Sequence, residues 1–480
     1  MINLLRRESL QIFWLAFHVL LGVAATYIPG ILVIWIYLLI ASTLLELASK
    51  GNDQGVIHNF LAYYLGMEIL ARALRLSPLV PYESGKYTMF FFLLAGLVFS
   101  RKGSKQSFAG WSILLLTIPS LFVARETFEY RDLVFNFLGI FNLGLALLYF
   151  YRTTILHEDL LRLFRLIAYS IMPLLVSVTL KTPDFQDLQF TLAASFETSG
   201  GFGSNQVSTI LGLGFLLIGF CYLTNQKIFK NNWIAITLFG LFFFRGLLTF
   251  SRGGVVAGIL VLLMVFVARQ LWPVRSRLKA SSFAWTVLIF VGLLGISIYT
   301  NRLTDNTLLL RYQGETEATL AGRRVKDMSL MTSGRLDIFL SDVSIWSENF
   351  LLGVGPGRSS EIREERGEGR FAAHVEFSRL LSEHGLMGFF ISILLVAYPF
   401  ISFFRSGRNS DKLFKVCLFS FALLTSAHSA MRTNVTPFLY GLAAARLLPL
   451  QTVWMWRYFS QRSLRVTDEP PASAEVVNQL

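Results

Sequence analysis

Hydrophobic residues occupy most of this chain in long blocks that recur from the N-terminus to residue 450. A helix needs roughly 17 to 25 apolar residues to cross a bilayer, and several of the blocks are short of that length. The blocks lie near residues 11–28, 31–47, 57–75, 87–100, 109–124, 133–151, 164–180, 205–224, 233–250, 254–270, 283–300, 387–404, 414–430 and 434–450. The pattern predicts an all-α, polytopic transmembrane helix bundle of about 12–14 helices.

One long polar stretch, residues 301–386, separates two of these blocks. After Ser333 and Gly334, apolar residues recur at helical spacing, which predicts an amphipathic helix that begins near Arg335 and is able to lie along the membrane surface. The apolar positions are Leu336, Phe339, Leu340, Val343 and Trp346. Charge, glycine and histidine concentrate in this stretch, so we expect the function to reside there.

A glycine-rich turn follows at residues 353–357, and a patch dense in acids and bases occupies residues 361–370. The alternation of Glu and Arg in that patch is typical of a solvated, salt-bridged face. A second helix is predicted over residues 372–384, with Gly385 as its C-cap.

Composition places the chain among membrane proteins. Of 480 residues, 54% are hydrophobic and 14% are aromatic, and the mean hydropathy is +0.55, values that a soluble domain with a polar exterior does not reach. The first apolar block lacks a small-residue cleavage site, so it is interpreted as a retained helix. Cys221 and Cys417 both lie inside apolar blocks, which argues against a disulfide framework and against a cysteine metal site.

The net charge of +13 would suggest nucleic-acid binding in a soluble protein, but here the distribution of charge indicates topology instead. Residues 301–386 contain 11 basic and 13 acidic residues, a net charge of −2, so the basic excess lies elsewhere in the chain. Alternating the segments from a cytoplasmic N-terminus places the basic loops inside and residues 301–386 outside. We therefore expect a multi-pass membrane protein with residues 301–386 on the outer face, in the periplasm if the host has two membranes, with membrane lipids around it and no nucleic-acid partner.

Four regions follow from this topology. They are N-terminal transmembrane helices over 1–300, an extracytoplasmic loop carrying the proposed active site over 301–386, C-terminal transmembrane helices over 387–450 and a cytoplasmic tail over 451–480. The end of the tail is polar and contains Pro, Ala and Ser, a composition typical of disorder.

Two arginines occupy the first turn of a predicted helix, where a positive charge is disfavoured. Ser251 is a suitable N-cap that places Arg252 in the first turn of the next helix, and Arg335 follows Ser333 in the same way. A cation there opposes the helix dipole at a cost of about 0.3–1 kcal/mol. Helix N-termini bind anions and the guanidinium fork suits phosphate, so the pair predicts a phosphate site. The alternative is that both arginines anchor the membrane interface.

Few charges lie inside the apolar blocks. Glu68 and Arg72 are four residues apart and are predicted to pair with each other. Arg245 lies seven residues before Arg252 and is predicted on the same helical face. An intramembrane arginine is a candidate site residue, and the alternative is that its side chain extends to the outer surface.

His374 lies in the first turn of the predicted second helix, and the spacing places Phe377, Leu381 and His384 on the same face. A histidine is able to take a proton near neutral pH, as an attacking hydroxyl requires. The helix dipole explains a histidine beside Gly385, but it does not explain His374. We therefore interpret His374 as the candidate base.

No motif in the sequence indicates a metal or a cofactor, since HExxH, Asp-x-Asp and Walker sequences are all missing. The turn that contains Gly355 is too short for a dinucleotide fingerprint. We interpret it as a turn that lets the backbone approach a ligand or the membrane surface. Arg358 follows it directly.

The motifs form an ordered set. They are Gly200-Gly201-Phe202-Gly203-Ser204-Asn205, Thr249-Phe250-Ser251-Arg252-Gly253-Gly254, Ser333-Gly334-Arg335 with Trp346, Gly353-Val354-Gly355-Pro356-Gly357, and His374 ahead of Gly385-Leu386-Met387-Gly388. The set resembles the bacterial O-antigen ligase and O-antigen polymerase membrane proteins over about residues 196–400. Family members commonly carry asparagine where this chain has Val375.

The resemblance implies a GT-C-like, all-helical glycosyltransferase that takes a glycan from undecaprenyl pyrophosphate and needs no cofactor. It also implies a multi-pass protein of the bacterial inner membrane with its active site facing the periplasm. It implies that Arg252 and Arg335 hold the pyrophosphate and that His374 lies beside the acceptor hydroxyl. Two arginines neutralise the leaving group without a metal, and a base on the opposite side of the anomeric carbon makes the reaction inverting. The acceptor would be a sugar of lipid A core or of a growing polysaccharide. Further substrate contacts are expected from Arg245, Asn205, Gly355 and Arg358.

Three other functions are alternatives to a glycosyltransferase that uses a sugar acceptor. A protein O-oligosaccharyltransferase shares these motifs but glycosylates Ser or Thr. A polysaccharide transporter or flippase should show charged or broken helices in repeated halves, and the sequence has no such repeat. A scaffold of a polysaccharide assembly complex would leave the two misplaced arginines unexplained.

Overall fold

The structure, a computed structural model, describes residues 8–52, 55–99, 106–123, 130–272, 280–323, 327–369 and 373–448, together with Leu5 and Val325. The end of the chain over 451–480 lies outside these residues, and so do the basic segments 101–105 and 273–279 that entered the predicted topology. The chain is 75% helical, which confirms the predicted all-α fold.

The helices before the polar stretch follow the apolar blocks, because only a helix satisfies every backbone group of a lone segment inside a membrane. They are α1 (Gln11–Tyr27), α2 (Gly30–Lys50), α3 (Val56–Ala73), α4 (Ser84–Phe99), α5 (Phe108–Thr117), α6 (Tyr130–Arg152), α7 (His157–Lys181), α8 (Ser204–Leu223), α9 (Asn232–Leu248), α10 (Arg252–Leu271) and α11 (Ala280–Leu303). Short 3-10 turns occur at Glu8–Leu10, Pro119–Phe122 and Glu197–Ser199.

Shorter helices build the polar stretch, and three more follow it. They are α12 (Thr307–Tyr312), α13 (Glu317–Leu320), α14 (Met328–Met331), α15 (Arg335–Glu348), α16 (Ser359–Glu365), α17 (Glu376–Phe404), α18 (Asn409–His428) and α19 (Val435–Ala443). Strands β1 (Thr154–Leu156) and β2 (Arg446–Leu448) pair in parallel, with Thr154 opposite Arg446. This pairing joins the chain after α19 to the turn between α6 and α7.

Seven helices in the described part of the chain are long and apolar enough to cross a membrane. They lie over Gly30–Lys50, Leu133–Arg152, His157–Lys181, Ser204–Leu223, Arg252–Leu271, Thr286–Leu303 and Glu376–Phe404. The helices α1, α4, α5 and α9 are apolar but shorter. The predicted number of about 12–14 therefore combines full-length spans with shorter helices of the same bundle.

The predicted span over 434–450 is wrong. Its helix, α19, has nine residues, about 14 Å at 1.5 Å per residue, whereas the apolar core of a bilayer is about 30 Å thick. The helix is buried throughout. Its hydrophobicity reflects burial among other helices and not contact with lipid.

The connection between α18 and α19, residues 429–434, is a non-helical segment that we call the buried loop. A Cβ at Gly139 of α6 would lie 3.1 Å from Met431 of this loop. Gly139 lies nine residues after the start of α6 and 13 before its end, about 14 Å and 20 Å along the helix axis. The buried loop therefore lies within the length of α6 and not beyond its ends.

Backbone groups at such a depth must bond within the protein, and side chains of α3 and α17 provide these bonds. Glu68 accepts the backbone N–H of Asn434 at 3.1 Å, and Arg72 donates to the carbonyl of Arg432 at 3.0 Å. Glu376 accepts the N–H of Met431 at 2.9 Å. The predicted pair of Glu68 and Arg72 is confirmed at 2.7 Å, and it holds the loop as well.

Helices α8 and α10 approach so closely that glycines form their contact. A Cβ at Gly212 would lie 2.4 Å from the carbonyl oxygen of Gly254, and one at Gly254 would lie 2.2 Å from that of Ser208. Two helix backbones in contact leave no room for a side chain. This contact sets the position of the N-terminus of α10, where Arg252 begins the helix.

We expect Gly254→Val to destabilise the protein by about 1–3 kcal/mol, as overpacking of a tight interior does, and to displace Arg252. The measurement is the thermal unfolding temperature of the purified protein in detergent. Gly292→Val is the matched control, because Gly292 lies in the middle of α11 with no atom within 4 Å of an added Cβ. Equal stability of the two variants would contradict the proposed packing.

A buried ion pair attaches α15 to the helices beside it. Asp342 of α15 is fully buried and pairs with Arg363 of α16, whose side chain is 1% exposed. The hydroxyl of Ser378 in α17 donates to the other carboxylate oxygen at 2.7 Å. The predicted solvated face over 361–370 is therefore wrong for Arg363, although Arg366 does pair at the surface with Glu348 at 2.6 Å.

Candidate functional site

Arg252 is the first residue of α10, as predicted, with Ser251 in extended conformation as its N-cap. The backbone reverses just before it at Phe250, whose φ is 54°. The hydroxyl of Ser251 makes no cap bond and donates instead to the Asn205 side-chain oxygen at 2.7 Å. The predicted site residue Asn205 therefore binds Ser251, the residue that precedes Arg252 at the start of α10.

Arg335 is the first residue of α15, but its N-cap is Gly334 and not the predicted Ser333. Both residues have positive φ, 57° at Ser333 and 75° at Gly334, a conformation that glycine adopts most easily. One Nη atom of Arg252 donates to the carbonyl of Met331 and to the hydroxyl of Ser333, each at 2.8 Å. The two arginines, 83 positions apart in the sequence, thus meet at one turn.

A third guanidinium group, from Arg311 at the end of α12, lies with these two. Burial, followed by the positive charges of Arg252 and Arg335, lowers the pKa of Arg311 to about 10. Burial, followed by the charge of Arg252, also lowers the pKa of Arg335. We call Arg252, Arg311 and Arg335 the arginine cluster. None of the three pairs with a carboxylate in the described part of the chain.

His374 lies close to the cluster, but it is not on a helix. The helix α17 begins at Glu376 after an extended Val375, so the predicted face shared by His374, Phe377, Leu381 and His384 is wrong. Burial, then the charges of Arg432 and Arg335, lower the pKa of His374 to about 3. The ring is therefore neutral at pH 7, and its buried Nδ1 has no hydrogen-bond partner in the described residues.

The buried loop fixes the segment that carries His374. A guanidinium nitrogen of Arg432 donates to the carbonyl of Ala373 at 3.1 Å, while Glu376 accepts the N–H of Met431. These two bonds flank His374 on both sides. The sequence pattern did not indicate Arg432, because it lies in a three-residue gap between the predicted blocks 414–430 and 434–450 and carries no motif.

His428, the last residue of α18, packs against the first turn of α10. A Cβ at Gly253 would lie 2.0 Å from its ring, so the glycine after Arg252 makes room for the histidine. Its Nε2 shares a hydrogen bond of 3.1 Å with Thr209 of α8. The sequence offered no signal for this residue beyond a lone histidine at the end of an apolar block.

Arg245 does not join the arginine cluster. The helix α9 ends at Leu248, before the reversal at Phe250, so the prediction that Arg245 and Arg252 share one helical face is wrong. One Nη atom of Arg245 donates to the carbonyl of Val178 at 2.8 Å and to the Thr182 hydroxyl at 2.5 Å. It binds the C-terminal turn of α7, which favours a cation there.

The glycine turn packs on α17. The N–H of Gly355 donates to the carbonyl of Glu383 at 3.0 Å, and a Cβ at Gly353 would lie 2.6 Å from Gly385 N. Gly385 has non-helical backbone with φ 58°, so the first helical part of α17 ends there, as predicted, and a second part continues beyond this kink to Phe404. Arg358 is the N-cap of α16. The predicted substrate contacts of Gly355 and Arg358 stay predictions.

The structure thus gathers Arg252, Arg335, Asn205 and His374 from the predicted set. The site's other members, Arg311, Arg432 and His428, come from segments with no recognisable motif. Four buried polar atoms around it lack a partner in the described residues. They are Nε of Arg311, Nε of Arg335, the hydroxyl of Tyr312 and Nδ1 of His374.

Cations, unpaired donors and a neutral imidazole are the groups that bind a polyanion beside a proton acceptor. Buried polar atoms are nearly always hydrogen-bonded, so a group of unpaired ones in one site is a place for a bound ligand or water. Among the described residues, no group of three or more His, Cys, Asp or Glu could hold a metal ion.

Residues 236–393 match the family model described as O-antigen ligase, which is about a third of the chain. The matched stretch contains the arginine cluster and His374, and it confirms the resemblance predicted from the motifs. The comparison with curated proteins finds no match. Over the matched stretch the chain is O-antigen ligase-like, which supports a function of the O-antigen ligase or polymerase type.

Proposed function

We propose that this O-antigen ligase-like protein is an inverting, metal-independent glycosyltransferase that moves a glycan from undecaprenyl pyrophosphate to a sugar acceptor. One observation carries the proposal. Three guanidinium groups that have no carboxylate partner among the described residues converge beside a neutral histidine whose Nδ1 has no hydrogen-bond partner there. The four predicted regions of the chain, with the active site in 301–386, belong to the same proposal.

The arginine cluster suits a pyrophosphate. Arg252 and Arg335 are both the first residues of their helices, where the free backbone N–H groups and the helix dipole favour negative charge. A guanidinium group binds phosphate with two parallel hydrogen bonds. With both helix starts at one turn, the donor's phosphates would have charged and backbone donors on more than one side.

An apolar groove supports a lipid-linked donor. It lies between α10 and α11, has a volume of about 390 Å³ and is lined by Leu263, Phe266, Thr286, Val287, Phe290, Val291 and Leu294. Leu263 is 11 residues along α10 from Arg252, about 16 Å at 1.5 Å per residue. A prenyl chain whose pyrophosphate is bound by Arg252 could therefore extend into this groove.

The reaction proposed is a single displacement. The acceptor oxygen forms a bond to the anomeric carbon while the bond from that carbon to the phosphate oxygen breaks. The electron pair stays on the phosphate oxygen, where the arginine cluster stabilises the developing charge. The acceptor proton passes to the unprotonated ring nitrogen of His374, whose pKa of about 3 in the donor-free protein is expected to rise when the negative charge of the pyrophosphate offsets the nearby arginines. Prenyl pyrophosphate and the glycosylated acceptor leave.

The test of this function is glycan transfer by the purified full-length protein in detergent, with a prenyl-pyrophosphate-linked oligosaccharide as donor. Because arginines replace a metal, we expect turnover to persist in excess EDTA. Loss of turnover in EDTA with rescue by magnesium or manganese would contradict the metal-independent mechanism. No transfer to any sugar acceptor would overturn the function.

The choice of acceptor is tested in a deletion strain. If all long chains are lost from lipid A core, the protein is a ligase. If a single repeat remains on the core, it is a polymerase. Unchanged lipopolysaccharide and exopolysaccharide, with loss of glycans from Ser or Thr of proteins, would identify a protein O-oligosaccharyltransferase instead.

The proposed inner-membrane location places residues 301–386 outside the cytoplasm, and this can be tested by cysteine labelling. Glu365 is the position of choice, because it is exposed at the end of α16 and the native Cys221 and Cys417 are buried. We expect Glu365→Cys to react with a membrane-impermeant maleimide once only an outer membrane has been permeabilised. Labelling that requires lysis of the inner membrane would contradict this topology.

A further inference from the structure

We infer that Arg311 and Tyr312 of α12 form a third side of the anion site and bind the terminal phosphate of the prenyl pyrophosphate product. This inference rests on the proposed function and extends it. Neither residue belongs to the sequence motifs that carry the resemblance, nor to the predicted site. They come from a short helix at the end of the lipid-facing helix α11.

The backbone places this pair against the turn where Arg252 and Arg335 meet. Gly314, two residues after Tyr312, has φ 81°, and a Cβ there would lie 3.1 Å from the Cα of Met331. The carbonyl of Met331 is an acceptor of Arg252. The turn after α12 therefore packs on the residue that Arg252 binds.

Both side chains bury polar atoms that have no partner. Nε of Arg311 and the hydroxyl of Tyr312 are buried without a hydrogen bond in the described residues. A buried donor that bonds to nothing costs stability, and replacing it by an apolar group of the same shape is often neutral or stabilising. Two such donors side by side, from consecutive residues, indicate a ligand that binds both.

Charge indicates which ligand this is. The donor is a diester of pyrophosphate and carries about two negative charges, whereas the product ends in a phosphate monoester whose second pKa is about 6, so it carries up to about three. The arginine cluster carries three positive charges and no carboxylate partner in the described residues. It matches the product's charge better than the donor's, so the third guanidinium acts mainly on the charge that develops as the bond breaks.

The experiment measures binding of farnesyl pyrophosphate, and of its diester capped with a methyl group, to the full-length protein in detergent. We expect Arg311→Gln to bind farnesyl pyrophosphate about 10- to 100-fold more weakly, the usual effect of losing a charged hydrogen bond. Tyr312→Phe, which loses a neutral one, should bind it about 3- to 10-fold more weakly. Both variants should change the affinity for the diester less.

Matched controls come from the same part of the chain. Arg323→Gln removes one positive charge from an exposed position in the polar stretch, and Tyr299→Phe removes a hydroxyl from a residue that is 61% exposed. Both should bind farnesyl pyrophosphate as the native protein does. Without ligand, Arg311→Gln and Tyr312→Phe should unfold at the native temperature or above it, because each removes an unpaired buried donor.

Native affinity in both Arg311→Gln and Tyr312→Phe would overturn the inference, while loss of binding in Arg335→Gln would leave the proposed function standing. An equal loss for product and diester would also overturn it, since the terminal phosphate would then not be the group bound. A fall in the unfolding temperature without ligand would assign the pair a structural role instead. If the native protein neither binds farnesyl pyrophosphate nor transfers a glycan, the proposed function itself fails.

Discussion

Arg335→Lys is expected to lower the rate of glycan transfer by about 10²–10³, the usual effect of removing one donor that stabilises a developing oxyanion. The substitution keeps the positive charge but loses the planar fork that binds two phosphate oxygens at once. Arg335 is also held in place before the donor arrives, by a bond from its Nη1 to the carbonyl of Thr332 at 3.2 Å. A lysine cannot reproduce both contacts.

The measurement is the single-turnover rate together with donor affinity, for Arg335→Lys and for Arg335→Ala, which should weaken donor binding as well. Arg366→Lys is the matched control, because Arg366 lies at the surface of the same stretch and its pair with Glu348 is exposed. Such surface pairs contribute about 0–1 kcal/mol. A normal rate for Arg335→Lys would show that charge alone suffices and would contradict the two-pronged contact.

His374→Ala is expected to lower the single-turnover rate by about 10²–10⁴, the usual contribution of a positioned acid or base, while donor affinity stays near the native value. The reason is that its proposed partner is the acceptor and not the pyrophosphate. His157→Ala is a suitable control, because His157 starts α7 next to β1 and lies outside the site. Loss of donor binding in His374→Ala, but not in Arg335→Ala, would reverse the assignment of the two residues.

The pH dependence gives His374 a second signature. Burial and the charges of Arg432 and Arg335 lower its pKa from 6.5 to about 3, so the donor-free protein keeps a neutral ring far into the acid range. Bound pyrophosphate adds negative charge that opposes both arginines, so it should raise this pKa. We expect the acid limb of kcat/KM for the donor, which reports the donor-free enzyme, to lie at lower pH than the acid limb of kcat. Coincident limbs would contradict this coupling.

The lowered pKa of His374 also makes the unfolding free energy depend on pH. Between about pH 3 and 6.5 the unfolded chain binds a proton at His374 that the folded protein does not. This term of the unfolding free energy is therefore complete above pH 6.5 and is lost as the pH falls toward 3. A His374→Gln variant should lose less stability than the native protein over that range.

The helices of the bundle could be predicted because contact with lipid and burial in the interior both require continuous apolar blocks. Such blocks can be recognised in the sequence alone. The same property explains the failure at 434–450, since α19 is apolar through burial and is too short to span. The start of α15 was predictable from Ser333-Gly334-Arg335, a local signal. The start of α17 was not, because extended backbone at Val375 removes His374 from the helix.

Site residues with a local signature could be predicted, and those defined by distant contacts could not. Arg252 and Arg335 are unusual at helix starts, so sequence alone indicated them. Arg311 joins the site only because the turn after α12 packs on Met331. Arg432 joins it only because the buried loop contacts Ala373. Neither contact can be predicted from the spacing of nearby residues.

The buried loop also has a consequence for how the protein is made. Arg72 donates to the carbonyl of Tyr82 and to the side chain of Gln206, but two further bonds of the pair, to Arg432 and Asn434, involve residues more than 350 positions later in the chain. Charged side chains insert poorly into lipid on their own, and these two enter the membrane long before the ribosome reaches the buried loop. Until then the ion pair of α3 lacks its bonds to the buried loop, and its hydrogen-bonding capacity is only partly met. Assembly of the N-terminal helices is therefore completed only when the last segment of the bundle arrives, and a chain that stops before residue 429 lacks the groups that complete it.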